Sequence, residues 1–273
     1  MDFWLRLNMF FRSFFLQAGW NYVKYQNLGF AFVMLPFLRR LYKNDPETQS
    51  AVLQRYLDTF NTHPVMAAFC FGALAKQEEL IAKPQSLSSY REQVAEWSGT
   101  RRGLSITAAS IGDRLFWGTL KPLTLLLALL IWMILGVNFL ETSSIQIPSW
   151  GCIFAGGAAA FILYNTVALF VRWQGLKMGY LYDDDSCFGL TCFDWNRTIY
   201  NAKRAGMFLS VCLIILGVYQ YLAQLPVIDV QFIARAVLVL FFIIITFITR
   251  RLRIPSIYLY LATVIIFNLV CLF

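Results

Sequence analysis

At 273 residues the chain is long enough for one or two domains, but 59% of it is apolar and only 14% charged, against roughly a quarter charged in a soluble domain. That balance excludes an ordinary soluble enzyme. The net charge of +8 calls for an acidic partner, and because no polar domain gathers the basic residues, that partner is phospholipid headgroup rather than nucleic acid.

The opening segment, MDFWLRLNMFFRSFF, breaks its apolar run at Arg6 and Arg12 and has no small-residue cleavage site, so it makes a poor signal peptide. It reads as an interfacial amphipathic helix, with Phe, Leu and Trp in the headgroup boundary and the arginines reaching to phosphates. The alternative is an ordinary helix packed on the rest of the protein. Three apolar runs follow, at 28–38, 60–75 and 103–120, each short and bounded by polar or charged residues. Runs of this kind suit re-entrant or interfacial elements covered by protein or lining a water-filled cavity. Between them, 45–60 starts like a helix, with Asp45 as cap and Pro46 in the first turn. Residues 76–102 read as polar helix and loop facing the cytoplasm.

Beyond Lys121 and Pro122 the pattern changes. Five long apolar spans are expected, at 122–140, 149–171, 206–224, 232–249 and 254–273, each near the length that crosses a hydrocarbon core as a helix. The predicted fold is therefore an all-α integral membrane protein with about five transmembrane helices plus re-entrant or interfacial helical segments. It has an N-terminal region at 1–121 and a transmembrane region at 122–273. The loops 141–148 and 224–231 carry no Lys or Arg, whereas the intervening loop holds Arg172, Lys177, Arg197, Lys203 and Arg204, and the last turn holds Arg250, Arg251 and Arg253. By the positive-inside rule the N-terminus is cytoplasmic and the C-terminus outside. Cys187 and Cys192 fall on a cytoplasmic loop, where thiols stay reduced.

No glycine-rich phosphate loop, acid pair or histidine cluster is present, so no catalytic residue, metal site or cofactor is expected. The candidates are polar residues inside the short apolar runs. Asp113 and Arg114 interrupt SIGDRLFWG at an expected turn; an ion at membrane depth lines a cavity or pairs, although Gly112 and Asp113 also suit a helix cap at the surface. Asn61, Thr62 and His63 precede Pro64 and either cap the next helix or hydrogen-bond sugar hydroxyls. Asn21 and Gln26 lie among Trp20, Tyr22 and Tyr25, a composition that fits carbohydrate or an aromatic belt.

Four stretches resemble the IID membrane subunits of the mannose-family sugar phosphotransferase system: FLQAGWNYVKYQNLGFAFVMLPFLRRLY (15–42), FNTHPVMAAFCFGALAKQEE (60–79), IGDRLFWGTLKPL (111–123) and LYNTVALFVRWQGLKMGY (163–180). The third is similar to the family's G-D-x-x-F-W-G-T-x-[RK]-P and adds Trp117 and Thr119 to the candidates. The resemblance implies a IIC partner that shares the sugar path, soluble IIA and IIB proteins that carry phosphoryl groups on their own histidines, and a multi-pass place in the bacterial inner membrane. It implies that the chain is not itself an enzyme but helps a hexose permeate as part of an oligomeric complex in membrane lipid. Arg114 and Phe69 stand where the family commonly has proline. This leaves open a second reading, a regulatory IID-like scaffold that recruits the phosphotransfer proteins without moving sugar.

Overall fold

The computed structural model describes residues 1–83, 86–136 and 150–223. The chain divides into two compact units, Met1–Gly217 and Val218–Phe273. The second is described only over 218–223, the end of a helix. The spans expected at 232–249 and 254–273, and the uncharged loops 141–148 and 224–231, lie outside the described residues.

The first unit is helical: α1 (Phe3–Arg12), α2 (Asn27–Leu41), α3 (Pro46–Tyr56), α4 (Ala67–Ile81), α5 (Leu87–Gly112), α6 (Lys121–Ile134), α7 (Trp150–Leu181) and the body of α8 (Trp195–Ala223). The starts follow local chemistry. Asp2 caps α1 by accepting from the Leu5 amide at 2.8 Å, and Asp45 caps α3 by accepting from Thr48 N at 2.9 Å with Pro46 in the first turn, as the sequence predicts. Ser86 caps α5.

Helix α5 does not end at Gly112. Residues Asp113–Leu120 continue as a π-helical segment into α6, so that Leu87–Ile134 is one helix of 48 residues. The turn expected at Gly112 and Asp113 is therefore absent. Arg114 has the backbone N–H that proline would lack, so the ladder is not interrupted there. Asp113 is accordingly no terminal cap, and the division read at Lys121 and Pro122 falls inside a continuous helix. Among the described residues, Leu87–Ile134, Trp150–Leu181 and Trp195–Gln220 are long and apolar enough to cross a membrane. The spans expected at 122–140, 149–171 and 206–224 overlap these three. Their outer faces carry exposed apolar residues such as Phe154, Phe161, Met207 and Ile214, as a lipid-facing surface does.

The core is built around α4, whose residues Ala67 to Ala75 are all buried. A helix apolar on every side must be surrounded, and α7 lies against it at backbone distance. A Cβ placed at Gly72 would come within 2.6 Å of the Leu176 carbonyl oxygen, and one at Gly179 would strike the carbonyl oxygen of Phe69. Gly175 and Gly179, four apart on α7, thus act as the small-residue seam that lets membrane helices approach closely. Phe69 is fully buried in this interface with its ring edge-on to Trp195.

A buried polar cluster joins α2 to α5 at the far end of α4. Glu78 is fully buried and accepts from Tyr42 Oη (2.7 Å), Tyr56 Oη (2.9 Å) and Arg55 Nη2 (2.5 Å). Burial, reinforced by the Glu78 carboxylate, raises the Tyr42 and Tyr56 hydroxyls above their ordinary range, which keeps both as donors. Trp97 on α5 closes the cluster, edge-on to Tyr56 and donating to the Leu74 carbonyl. Arg101 bonds the Arg55 carbonyl and Asp58.

Candidate functional site

The loop Phe60–Pro64 is tied down from both sides. Gln26 N donates to the Phe60 carbonyl at 2.8 Å, and the Gln26 carboxamide clasps the Thr62 backbone, accepting from its N–H (3.0 Å) and donating to its carbonyl (2.9 Å). The Thr62 hydroxyl then donates to the Ser105 carbonyl on α5 at 2.8 Å. Asn21 supports the same loop indirectly. Its Oδ1 accepts from Lys24 N (2.8 Å) and its Nδ2 donates to Asn27 Oδ1 (2.8 Å), while Asn27 Nδ2 donates to the Leu57 carbonyl (2.7 Å). Tyr25 completes the turn with φ of 57°, in the left-handed region that is uncommon for a bulky side chain.

This scaffold fixes His63 against the π-helical segment. The imidazole stacks on Phe116 with 4.9 Å between centroids and 13° between planes, and its edge meets Trp117 at 5.8 Å. Gly112 makes the approach possible, because a Cβ there would collide with the His63 side chain. His63 Nδ1 accepts from the Val65 amide at 3.3 Å, so in the neutral ring the proton sits on Nε2. Nε2 is buried and has no hydrogen-bond partner. A buried donor without a partner costs about 1–3 kcal/mol, so this atom is an exception among buried polar groups that calls for an explanation.

The sequence candidates separate by environment. His63 and Trp117 meet at the π-helical segment and Thr119 belongs to it, whereas Gln26 holds the His63 loop through Thr62, which bonds Ser105 on α5. Thr119 is buried and its hydroxyl donates to the Arg114 carbonyl at 2.8 Å, one π-turn back. Asn61, Asp113, Arg114 and Trp117 are exposed. No ion pair joins Asp113 to Arg114 among the described residues. Asn21 and Gln26 spend their amide groups on backbone and neighbouring amides, so they position the loop rather than face outward. Among the described residues no group of three or more His, Cys, Asp or Glu is arranged to hold a metal ion, and Cys187 and Cys192 are free thiols.

Two features had no signal in the composition. One is the Glu78 cluster. The other is Arg172 on α7, which is buried, donates to the Ser13 carbonyl (2.7 Å) and hydroxyl (2.9 Å), and lies 4.5 Å from the centre of the Phe14 ring. Aromatic and Arg-bearing spacing in 163–180 was visible, but a contact across 159 positions is not readable from spacing alone.

Long apolar helices with outward apolar faces, a seam of glycines and a buried polar-aromatic focus define an all-helical integral membrane protein. Residues 5–216 match the family described as "PTS system mannose/fructose/sorbose family IID component", which extends the stretch over which the four motifs carry the resemblance. The chain belongs to that family. It is 34% identical over 174 residues to the fructose permease IID component of Bacillus subtilis strain 168, covering 64% of this chain and 55% of that protein. It is 32% identical over 172 residues to the mannose-specific EIID component of Escherichia coli K12, covering 63% and 53%. The chain spans about half the length of the curated relatives it matches. Among solved structures, one described as a membrane protein aligns at a TM-score of 0.57 and 28% identity over 78% of this chain and 70% of its own. A cryo-EM structure of the mannose transporter ManYZ with microcin E492 aligns at 0.52 and 24% identity over 97% and 94%, which supports the fold.

Proposed function

We propose that this chain is the IID subunit of a phosphoenolpyruvate-dependent sugar transporter and that, with a IIC partner, it forms the permeation path for a hexose. Soluble IIA and IIB proteins supply the phosphoryl group from their own histidines, so this chain transports and does not catalyse. It resides in the bacterial inner membrane with its N-terminus cytoplasmic and its C-terminus outside, as the alternation of basic and uncharged loops favours. The observation that carries the reading is the unpartnered Nε2–H of His63, held flat on Phe116 beside the exposed indole of Trp117. A fixed donor next to an aromatic face suits a sugar, which offers hydroxyl acceptors and an apolar ring face. Trp117, Asp113 and Asn61 complete the wall, while Gln26, Asn21 and Thr119 hold it in position.

The test is phosphoenolpyruvate-dependent uptake of mannose, fructose and sorbose by cells expressing the chain with IIA, IIB and IIC. His63→Phe keeps the stack and removes the donor; it is expected to abolish uptake at equal membrane abundance, while His63→Gln retains a donor and part of the activity. Full uptake by His63→Phe would overturn the role of the donor. The exposed Arg114 on the same segment favours the second reading, a scaffold that recruits phosphotransfer proteins without moving sugar. That reading predicts no uptake by the wild-type complex under any of the three sugars.

A further inference from the structure

Helix α1 supplies no residue to the proposed sugar wall, yet its outer side carries a pattern of its own. Trp4, Phe11 and Phe15 are 75%, 58% and 59% exposed. At 3.6 residues per turn Trp4 and Phe11 fall on one stripe of α1, and Phe15, in the 3-10 turn Ser13–Phe15 that follows, joins them with Leu7, Asn8 and Arg12 in lining a groove of about 470 Å³. The opposite side is fixed to the protein: Met9 and Leu16 are fully buried, and Gly29 lies under the Leu16 backbone. The helix is therefore docked, and its apolar stripe faces outward by construction.

One arginine flanks the stripe. Arg12 donates from Nε to Asn8 Oδ1 at 2.8 Å and from Nη1 to the Phe32 carbonyl at 3.0 Å, with its guanidinium 4.5 Å from the centre of the Phe32 ring. Those bonds hold the fork at the groove edge, and among the described residues Nη2 has no hydrogen-bond partner. Arg6 lies on the docked side of the helix, 4.0 Å from the centre of the Trp173 ring on α7, and its Nε is buried without a partner among the described residues. The first 44 residues contain six Lys or Arg and a single acid, Asp2, and that acid is already paired with Arg40 and engaged as the α1 cap. No carboxylate of this segment is left to neutralise Arg6 or Arg12.

We propose that the groove is a binding site for an anionic glycerophospholipid. Its acyl chain lies along Trp4, Leu7, Phe11 and Phe15, and its phosphate accepts from Arg12 Nη2 beside Asn8. Charge decides the occupant. A purely apolar groove would take any apolar helix, but this one ends in a pre-positioned cation with unused donor capacity, and the bilayer around an integral membrane protein supplies an anion with an attached chain. Guanidinium matches phosphate geometry and is weakly hydrated, which suits a site at the headgroup boundary.

The experiment reconstitutes the full chain in phosphatidylcholine nanodiscs containing a trace of either phosphatidylglycerol or phosphatidylcholine with a photoactivatable diazirine in the acyl chain. Crosslinked peptides are mapped by mass spectrometry, with α8 as the reference for bulk lipid contact. The expected result is labelling of residues 4–15 above the α8 reference, with phosphatidylglycerol favoured over phosphatidylcholine by about fivefold, the ratio that ~1 kcal/mol per basic residue near an anionic surface gives. Arg12→Gln should bring the two probes to equality on this peptide, Arg12→Lys should restore part of the preference, and rising salt should erode it in the wild type. Equal labelling by both probes in the wild type, or labelling no higher than on α8, would overturn the proposal. So would loss of labelling when the chain is assembled with a IIC subunit, since a partner helix would then own the groove.

Discussion

The imidazole of His63 lies parallel to the ring of Phe116, and the space that admits it is Gly112. A loop residue and two helix residues 49 and 53 positions further along the chain thereby form one unit. The proposed donor is set by the absence of a side chain at 112 as much as by the histidine. Gly112→Ala should push the imidazole off Phe116 and cut sugar uptake about tenfold or more, since a misplacement of the order of 1 Å in a positioned group costs up to about 100-fold. Gly103→Ala on the same helix has open space around the added methyl and should leave uptake unchanged. Uptake in matched complexes at equal membrane abundance measures both, and equal activity in the two variants would separate Gly112 from the site.

The Glu78 cluster makes a prediction about stability rather than transport. Tyr56→Phe removes one of three donors to a fully buried carboxylate and should cost about 1–3 kcal/mol, read as a lower midpoint in detergent thermal unfolding. The pH dependence follows from two shifts. Asp58 is held below its ordinary 3.8 by the hydrogen bond from Arg101, so its contribution is present above that value and lost as the pH falls through it. Tyr42 and Tyr56 are raised above their ordinary 10.0, so their contribution is present below that value and lost as the pH rises. Stability should fall at both ends, and Tyr56→Phe should weaken the alkaline limb and leave the acid limb unchanged.

Much of this was legible in the sequence and some was not, for physical reasons. The membrane class follows from composition because lipid demands long apolar runs, and the caps at Asp45 and Pro46 follow from local chemistry. The FNTHP and GDRLFWGT stretches were visible as unusual polar groups in apolar surroundings, and their meeting was not, because a contact between residues 63 and 116 has no period. The turn at Gly112 was expected from glycine beside a charged pair. The chain instead keeps its hydrogen-bond ladder by widening to a π-helix over Asp113–Leu120, a rare form that is frequent at functional sites. Glu78 and Arg101 read as solvated charges of a polar stretch. They are buried because Tyr42, Tyr56, Arg55 and Asp58 converge on them from other helices.

The seam between α4 and α7 rests on backbone meeting backbone at Gly179 and Phe69. A methyl group there cannot be accommodated by turning a side chain. Gly179→Ala should separate the helices at a cost of about 1–3 kcal/mol and lower the amount of folded protein in the membrane. Gly157 on the same helix has nothing within 4 Å of a built Cβ, so Gly157→Ala is the matched control. Equal membrane levels and equal unfolding midpoints for the two variants would show that the seam yields.

Asp113 stands at the start of the π-helical segment, exposed and without an ion pair to the neighbouring Arg114. With the segment continuous, a capping role no longer accounts for the acid, and its place four residues before Trp117 puts it on the proposed sugar wall. A carboxylate accepting from a sugar hydroxyl makes a charge-assisted bond of about 1.5–3 kcal/mol, so Asp113→Asn should reduce phosphoenolpyruvate-dependent uptake by roughly 10- to 100-fold. The isostere preserves size and an acceptor, so membrane insertion and thermal midpoint should stay at wild-type values. Arg114→Ala provides the discrimination. Because no ion pair links the two residues, its uptake should remain within about twofold of wild type, the range expected for an exposed substitution. A drop equal to that of Asp113→Asn would mean that the two charges act as one unit across the segment. A rise above wild type would mean that the guanidinium obstructs the path where the family commonly carries proline. Normal uptake by Asp113→Asn at equal abundance would take the acid out of transport and leave His63 and Trp117 to carry the wall.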